Sequence, residues 1–453
     1  MTNQKPSGEG ALPAGSKHAL RNTFAVMRDH YKAYEDLFEE YGDTARLKAL
    51  NGDIIATRNK DYIKQIFAHN PLEYDPFASD TVEPLVGGGS LFSITGEAHR
   101  RERRLLMPCF HGERMRAYGQ LMHDAASEEL QRALRTSTSE SVTVYPLMNH
   151  VSMEVIIRAV FGIQGEERVE EVRRAVTQAM DALHPVFLFS KAMQRPFFGV
   201  GPYAKFRRRM DAAEALLYQE MDRKQEEGAN GEDILSLLLL ARDEEGNGLS
   251  RESIRDHLFT LLAAGHETTA ISMTWTIYHM LRHPEVLERA RAEVDAAFDQ
   301  GQSIDEIAKL PYLTAVWKEA LRIHPILPDV LRMLTAPMEL GPYTIEAGKV
   351  VSVAISAVHH DPELYEEPEK FKPERFLERN YKPWEYMPFG GGHRRCLGAA
   401  FAGYEMGVVL ATWLRDVDME LLETGEVLPK RRSLTIAPSS PIKVALRPRA
   451  HRG

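Results

Sequence analysis

"FGGGHRRCLG", Phe389 to Gly398, decides how this chain is read. One of only two cysteines, Cys396, sits there beside a run of three glycines and three basic side chains, His393, Arg394 and Arg395. Glycines let the backbone turn tightly around the sulfur. Helix-forming sequence follows, so the amides of Leu397 and Gly398 are expected to open a helix and point at the thiol. Such amides and nearby cations lower a thiol's pKa. A thiolate prepared in this way suits two chemistries. One is a single axial bond to a metal supplied by a cofactor, since no second cysteine or paired histidine stands at zinc spacing. The other is nucleophilic attack with His393 as the base. The loop alone leaves both open.

The rest of the chain narrows the setting. It has 453 residues, 43% of them hydrophobic, and no long Gly/Ser or Pro-rich linker in its middle. One domain over 21–453 is expected, after a polar, disordered tail over 1–20. The net charge of −9 argues against a generic nucleic-acid binder. No apolar run reaches signal-peptide or anchor length, so no membrane anchor is expected. Cys109 and Cys396 lie far apart without CxxC spacing, which argues against a disulfide framework and fits a reducing cytoplasm. "HRRERR", His99 to Arg104, is a basic run in an acidic protein.

Helical spacing over Asp29–Asp43 stops at Gly42, and Asn51-Gly52 between apolar runs signals a hairpin. A helix-rich stretch runs from about Gly96 to Ala320. Within it, Leu183 to Tyr203 is apolar and broken by Pro and Gly, a mobile loop or a buried one. Ser250 to His283 is the longest helical candidate, capped by Ser250 and closed by Pro284, and would span roughly 50 Å. A short β region returns at "YTIEAGKVVSVAIS", with Ala347-Gly348 as its turn. An irregular, proline-rich stretch covers Asp361–Pro388, and a final helix follows Cys396. The class is mainly α with minor sheet.

"FGGGHRRCLG" resembles the FxxGxRxCxG signature of the cytochrome P-450 family, the haem-thiolate monooxygenases. The resemblance implies that Cys396 is the axial iron ligand of haem b (iron protoporphyrin IX). Phe389 would pack beside the sulfur, Arg394 would pair a haem propionate and Gly398 would complete the motif. A thiolate ligand favours cleavage of bound dioxygen. Three further stretches are similar to the family. "EALR" offers Glu319 and Arg322, an i,i+3 pair that alone reads as a weak surface contact. With Arg375 in "FKPERF" it resembles the family's buried Glu-Arg-Arg network, which is structural and braces the cysteine loop. "AAGHETTA" (263–270) places poor helix formers inside an apolar helix, where a Thr hydroxyl can bond back one turn. A polar patch on an exposed face is the alternative. By its likeness to the oxygen-activation motif, Ala264 and Gly265 make room for dioxygen, and Glu267 and Thr268 are catalytic, ordering water and delivering protons. "GEAHRRERRLLMPCF" looks like the family's C-helix, so His99 and Arg103 are expected on a propionate, with Arg332 as another partner.

The resemblance implies a triangular helical prism with small β-sheets, haem buried between the long helix and the cysteine loop. It implies that one atom of O2 enters the substrate while the other leaves as water. By family position the substrate pocket draws on Phe187, Thr260, Ala264, Leu327, Val330 and Ile436, with Gly87–Gly89 in an adaptable loop. These are mostly apolar, so the substrate is expected to be apolar: fatty acid, terpenoid, steroid-like or macrolide. "PCFHGERMRAYGQ" looks like a bacterial branch that includes fatty-acid and hydrocarbon hydroxylases. No flavin- or iron–sulfur-binding segment follows residue 448, so electrons are expected from a ferredoxin or flavodoxin and its reductase. Arg100, Arg101 and Arg104 would offer that carrier a cationic face. Two alternatives stand beside this reading. One is a peroxygenase or isomerase without an electron partner, which the Glu267-Thr268 pair disfavours; the other is a non-enzymatic haem gas or redox sensor.

Overall fold

A computed structural model describes residues 12–50, 52–77, 79–136, 141–162, 166–183, 187, 194–195, 199–229, 233–422, 424–432 and 434–449. Of the stretch 1–20 expected to be disordered, residues 1–11 lie outside these. The rest is built into the fold. Strand β1 (Gly15–Ser16) pairs in parallel with Arg46 and Leu47. A Cβ at Gly15 would overlap the Arg46 carbonyl, so the close approach requires this glycine. Helix α1 (Ala19–Arg28) follows, and α2 (His30–Tyr41) starts where Asp29 caps it by accepting from the Lys32 N–H at 3.1 Å. Gly42, at φ +89°, ends α2 as predicted.

Strands β2 (Thr44–Ala49) and β3 (Gly52–Thr57) form the expected hairpin, but Ala49 pairs with Gly52. The connection is therefore one residue earlier than the Asn-Gly reading, and Asn51 lies outside the described residues. With β4 (Tyr74–Pro76), β6 (Val330–Leu334) and β9 (Val350–Val353) they build a six-stranded sheet of order β1-β2-β3-β9-β6-β4. Side chains alternate across it. Ile54 and Ala56 pack with Tyr34 and Phe38 of α2, while Ile55 packs on the other face with Ile63 and Val351. Among the described residues, three small sheets complete the β structure. β7 (Met338–Leu340) pairs with β8 (Tyr343–Ile345), β5 (Val142–Thr143) and β10 (Val417–Leu421) flank β13 (Lys443–Pro448), and β11 (Pro429–Arg432) pairs with β12 (Thr435–Pro438).

The remaining long elements are α3 (Lys60–Ala68), α4 (Ser79–Val86), α5 (Gly96–Leu106), α6 (Glu113–Thr136), α7 (Val144–Phe161), α8 (Glu166–Asp181), α9 (Pro202–Glu227), α10 (Ile234–Leu240), α11 (Arg251–Arg282), α12 (Pro284–Asp299), α13 (Pro311–Ile323) and α14 (Ala399–Asp416). α11 is the predicted long helix. Ser250 caps it by accepting from the Ser253 N–H at 3.0 Å, and Pro284 opens α12. Every residue of α11 from Thr269 to Met280 is buried, and the hydroxyls of Thr269, Ser272, Thr274 and Thr276 each bond back to a carbonyl one turn earlier. α7 packs along it so closely that a Cβ at Gly265 would come within 3.2 Å of Ile156. Of the loop expected over 183–203, residues 184–186, 188–193 and 196–198 lie outside the described residues. Among those described, no helix is long and apolar enough to cross a membrane.

Candidate functional site

The Cys396 loop is pressed against α3. A Cβ at Gly391 would overlap the Phe67 ring, and one at Gly392, already at φ +66°, would come within 2.6 Å of the Phe67 carbonyl. Only glycine admits both contacts. The Cys396 N–H donates to the Phe389 carbonyl at 3.0 Å, closing the turn. Cys396 is exposed and Cys109 buried. Burial nonetheless raises the Cys396 pKa, against the Gly398 N–H, Arg103 and Arg395, which lower it. The expectation of a lowered pKa is therefore corrected: the cations and amide are present, but desolvation outweighs them. The loop holds Cys396 beside the Gly398 N–H, Arg103 and Arg395, the groups that act on its sulfur. At Gly398, beside it, a Cβ would meet nothing within 4 Å.

The predicted basic residues gather beside the same loop. His99 is buried, and its pKa falls to about 3, by burial first and then through Arg394, Arg103, Arg332 and His393. Burial, then Arg332, holds Arg394 down to about 10, and burial also lowers Arg332 and Arg103. Arg394 donates to the Leu91 and Ile94 carbonyls at 2.9 and 2.7 Å, and Arg103 to the Arg395 carbonyl at 2.7 Å. The acidic groups that Arg394 feels are Tyr74 and Asp75. Three guanidiniums and a histidine around a desolvated space call for further negative charge. An iron porphyrin carrying two carboxylates fits this set: a sulfur for the metal and cations for the carboxylates. Of the neighbouring basic run, Arg101 is committed to Asp243 at 2.7 Å, Arg104 to Glu244 at 3.0 Å and Arg100 to Glu97 at 3.0 Å.

On α11 the Thr268 hydroxyl donates to the Ala264 carbonyl at 2.8 Å, the back-bond expected from sequence, and Thr269 does the same to Gly265 at 2.9 Å. Glu267 is half-buried, and its pKa is raised by burial and lowered by Arg432. The Arg432 Nε lies 3.6 Å from its carboxylate, with the guanidinium 4.8 Å from the centre of the Tyr145 ring. Neither Arg432 nor Tyr145 was found by sequence reasoning. The available signal was the run "PKRR" next to a predicted pocket strand.

Glu319 and Arg322 are fully buried and Arg375 nearly so, which overturns the surface-pair reading. Arg322 grips the Glu319 carboxylate with two donors at 2.8 Å each, and Arg375 adds a third at 3.1 Å. Arg322 also donates to the His359 carbonyl at 2.7 Å, and the His359 Nε2 accepts from the Met387 N–H at 3.0 Å. The chain of bonds thus ends two residues before Phe389.

The expected pocket residues divide. The Thr260 hydroxyl is used up on the Asp256 carbonyl at 2.7 Å and Ser90 Oγ at 2.6 Å, and the Asp256 carboxylate accepts from the Gly89 N–H at 2.8 Å. The glycine loop is thereby latched to α11. Gly87 is at φ +86°, where a Cβ would overlap the Asp256 carboxylate. Sequence reasoning missed Asp256. A cavity of about 410 Å³, lined by Glu83, Gly87, Arg207, Arg255 and Asp256 among others, adjoins this latch. Ile436 is buried and donates its N–H to the Ile326 carbonyl at 2.8 Å; Val330 lies 3.4 Å from where a Cβ of Gly390 would stand. Leu327 is exposed. Phe187 is buried against Tyr203 and Phe206 of α9, with ring centres 5.3 and 6.0 Å away.

The family model described as "Cytochrome P-450" matches residues 16–446. Cytochrome P-450 135B1 of Mycobacterium tuberculosis is 34% identical over 437 residues, 95% of this chain and 88% of that one. Cytochrome P-450 138 of the same species is 31% identical over 402 residues, 88% of this chain and 87% of that one. Neither name states a substrate. Among solved structures, a retinoic-acid-bound cyanobacterial relative superposes with a TM-score of 0.81 at 24% identity, covering 98% of this chain and 99% of that one. The haem domain of cytochrome P-450DA superposes with a TM-score of 0.85, also at 24% identity and with the same coverage.

Proposed function

The chain belongs to the cytochrome P-450 family, and we propose that Cys396 is the axial ligand of its haem iron. The protein is a haem-b monooxygenase that uses O2, a substrate and redox partners. When bound, the haem supplies the oxygen-activating chemistry, and the protein contributes the ligand, the proton path and the shape of the pocket. His99, Arg103, Arg332 and Arg394 hold the propionates, and Phe389 and Gly398 frame the sulfur. Ala264 and Gly265, with small or no side chains, would leave room on α11 for the haem and its oxygen chemistry. Thr268 presents its hydroxyl there, and Glu267 holds a proton between Thr268 and solvent, with Arg432 at its outer end. The observation that carries this reading is the exposed Cys396 on a glycine turn packed against α3, with Arg103 bonded to the Arg395 carbonyl beside it and Arg394 and the buried His99 close by.

The apolar side chains of Ala264, Val330, Leu327 and Ile436 support an apolar substrate, a fatty acid, terpenoid or steroid-like molecule, that is hydroxylated. Electrons come from a ferredoxin or flavodoxin with its reductase. Exposed His393 and Arg395 beside Cys396, with Arg100 and Arg104, favour an acidic carrier on that side. Charge reversal at Arg100 or Arg104 slows reduction by a ferredoxin in a salt-dependent way; an unchanged rate removes the docking assignment.

The deciding experiment is Cys396→Ser with Cys109→Ser as control. Cys109 is buried, and its pKa is pushed up to about 12. The first variant loses the carbon monoxide difference band of thiolate-ligated haem, and the second keeps it. Retention of that band in Cys396→Ser would overturn the ligand assignment. Titration of the wild type with fatty acids, terpenoids and steroids, read as a shift of the iron toward high spin, then selects the substrate class.

A further inference from the structure

Helix α1 is inside out. Leu20, Phe24 and Met27 are 74%, 68% and 56% exposed, while the fully polar Asn22 is buried and bonded to the Lys48 carbonyl at 2.8 Å. At about 100° per residue the three apolar side chains fall within a sector of about 60°. Arg21 and Arg28, both exposed, fall along one flank of that stripe, and the exposed Lys17 lies just before the helix. No acidic residue lies between Leu12 and Arg28, in a chain of net charge −9. On the other flank, Leu50 is 66% exposed and is held to α1 by its N–H on the Thr23 hydroxyl at 3.1 Å.

The same character continues onto β11, which touches α1. Arg431 bonds to His30 at 2.8 Å, just beyond the end of α1. Lys430 and Arg432 are exposed beside it, and Leu428 and Leu434, on either side of this basic run, are exposed as well. Arg431 is the β11 cation that faces α1, while Lys430 and Arg432 point to the other side of the strand, Arg432 toward Glu267 and Tyr145, so β11 adjoins the α1 face through Arg431 with the exposed Leu428 and Leu434 at its ends. Apolar side chains that stand proud of a row of cations match an interfacial amphipathic helix, which sinks its apolar edge among acyl chains and sets its cations among anionic headgroups.

We propose that the α1–β11 face docks the protein on the surface of an anionic phospholipid membrane, without spanning it. β11 is paired with β12, which carries Ile436, so the docked face adjoins the hairpin beside the site. An apolar substrate dissolved in the bilayer would then meet the protein on its pocket side. The proposal stands on the surface alone and is independent of the haem ligand assignment.

The test is co-flotation of the full-length holoprotein with vesicles. Wild type is expected to float with phosphatidylcholine vesicles containing phosphatidylglycerol, to float weakly with phosphatidylcholine alone, and to be released by high salt. Leu20→Ser with Phe24→Ser and Met27→Ser is expected to lower the partition coefficient by about tenfold or more for each side chain that inserts. Lys17→Glu with Arg21→Glu and Arg28→Glu is expected to abolish the preference for the anionic lipid. These side chains are exposed, so the variants should keep wild-type circular dichroism and haem content, which is checked in parallel. No flotation of the wild type would overturn the proposal, as would flotation unchanged by the triple serine variant. A third result against it is a wild-type dimer that the serine variant dissolves while neither binds vesicles; the face would then be an interface between copies of this chain.

Discussion

Glu319→Gln separates a buried ionic brace from an ordinary helix pair. The carboxylate accepts from four donors: Arg322 Nε and Nη2, Arg375 Nε and the Lys372 N–H, all between 2.8 and 3.1 Å. Two guanidiniums share one anion in a space where Glu319 and Arg322 are 0% exposed and Arg375 is 6% exposed. Glutamine keeps the shape but supplies one acceptor oxygen, turns an amide toward a guanidinium, and leaves the second cation uncompensated. Removing one partner of a buried pair costs about 3–5 kcal/mol, against a total stability of about 5–15 kcal/mol. A surface pair would cost no more than about 1 kcal/mol. The exposed Lys370–Glu367 pair supplies the comparison, and Lys370→Ala should stay within that smaller figure. The assay is urea unfolding followed by circular dichroism, with haem release recorded on the same samples. Haem is expected to leave before the helices melt, because the brace runs through His359 and Met387 to the cysteine loop. A loss below about 1 kcal/mol in Glu319→Gln, with haem retention unchanged, would refute this reasoning.

Four further outcomes follow from the buried and strained groups. Burial lowers the pKa of His30 to about 4 and of His279 to about 3, and drives His324 and His359 down as well. The unfolded chain takes up these protons below its ordinary pKa of 6.5 while the fold refuses them, so stability is full above pH 6.5 and falls as pH drops. His30 and His279 should each cost about 2 kcal/mol at pH 5; a urea midpoint that is flat from pH 7 to pH 5 would contradict this. Glu405 is buried, and burial pushes its pKa up to about 8, against the Ser152 hydroxyl, which lowers it. Its sign is opposite, so Glu405→Gln should stabilise by up to about 3 kcal/mol at pH 7 and by nothing near pH 4; an equal gain at both pH values would point to packing. Arg432→Gln removes the cation that lowers the Glu267 pKa, so the pH profile of product formed per electron should move up. A shift downward, or none, would detach Arg432 from the proton path. Gly87→Ala drives a Cβ into Asp256 and should weaken substrate binding without loss of haem, read by optical titration; unchanged affinity would mean that the latch is idle.

What the sequence disclosed was local. The cysteine turn, the Ser250 cap, the Thr268 back-bond and the Glu319–Arg322 pair each depend on residues within a turn or so of one another, where spacing sets geometry. What it hid was any balance struck between distant segments. Glycines and cations around Cys396 were visible, but the desolvation that outweighs them comes from the packing around the loop. The partner of Glu267 is Arg432, far along the chain, brought there by the β11–β12 hairpin. The latch between Gly87, Gly89 and Asp256 joins a loop to a helix through a register that no periodicity encodes. Helix α1 shows the limit most clearly. Periodicity reveals that a helix has an apolar face, but not which way the face points, and the usual assumption turns it inward. Here the contact of Asn22 with the Lys48 carbonyl fixes the rotation and leaves Leu20, Phe24 and Met27 outside. A fold stabilised by burial does not expose three large apolar side chains in line by default. Where local pattern and tertiary placement disagree in this way, an unpaired surface is the physical reason to look for a partner.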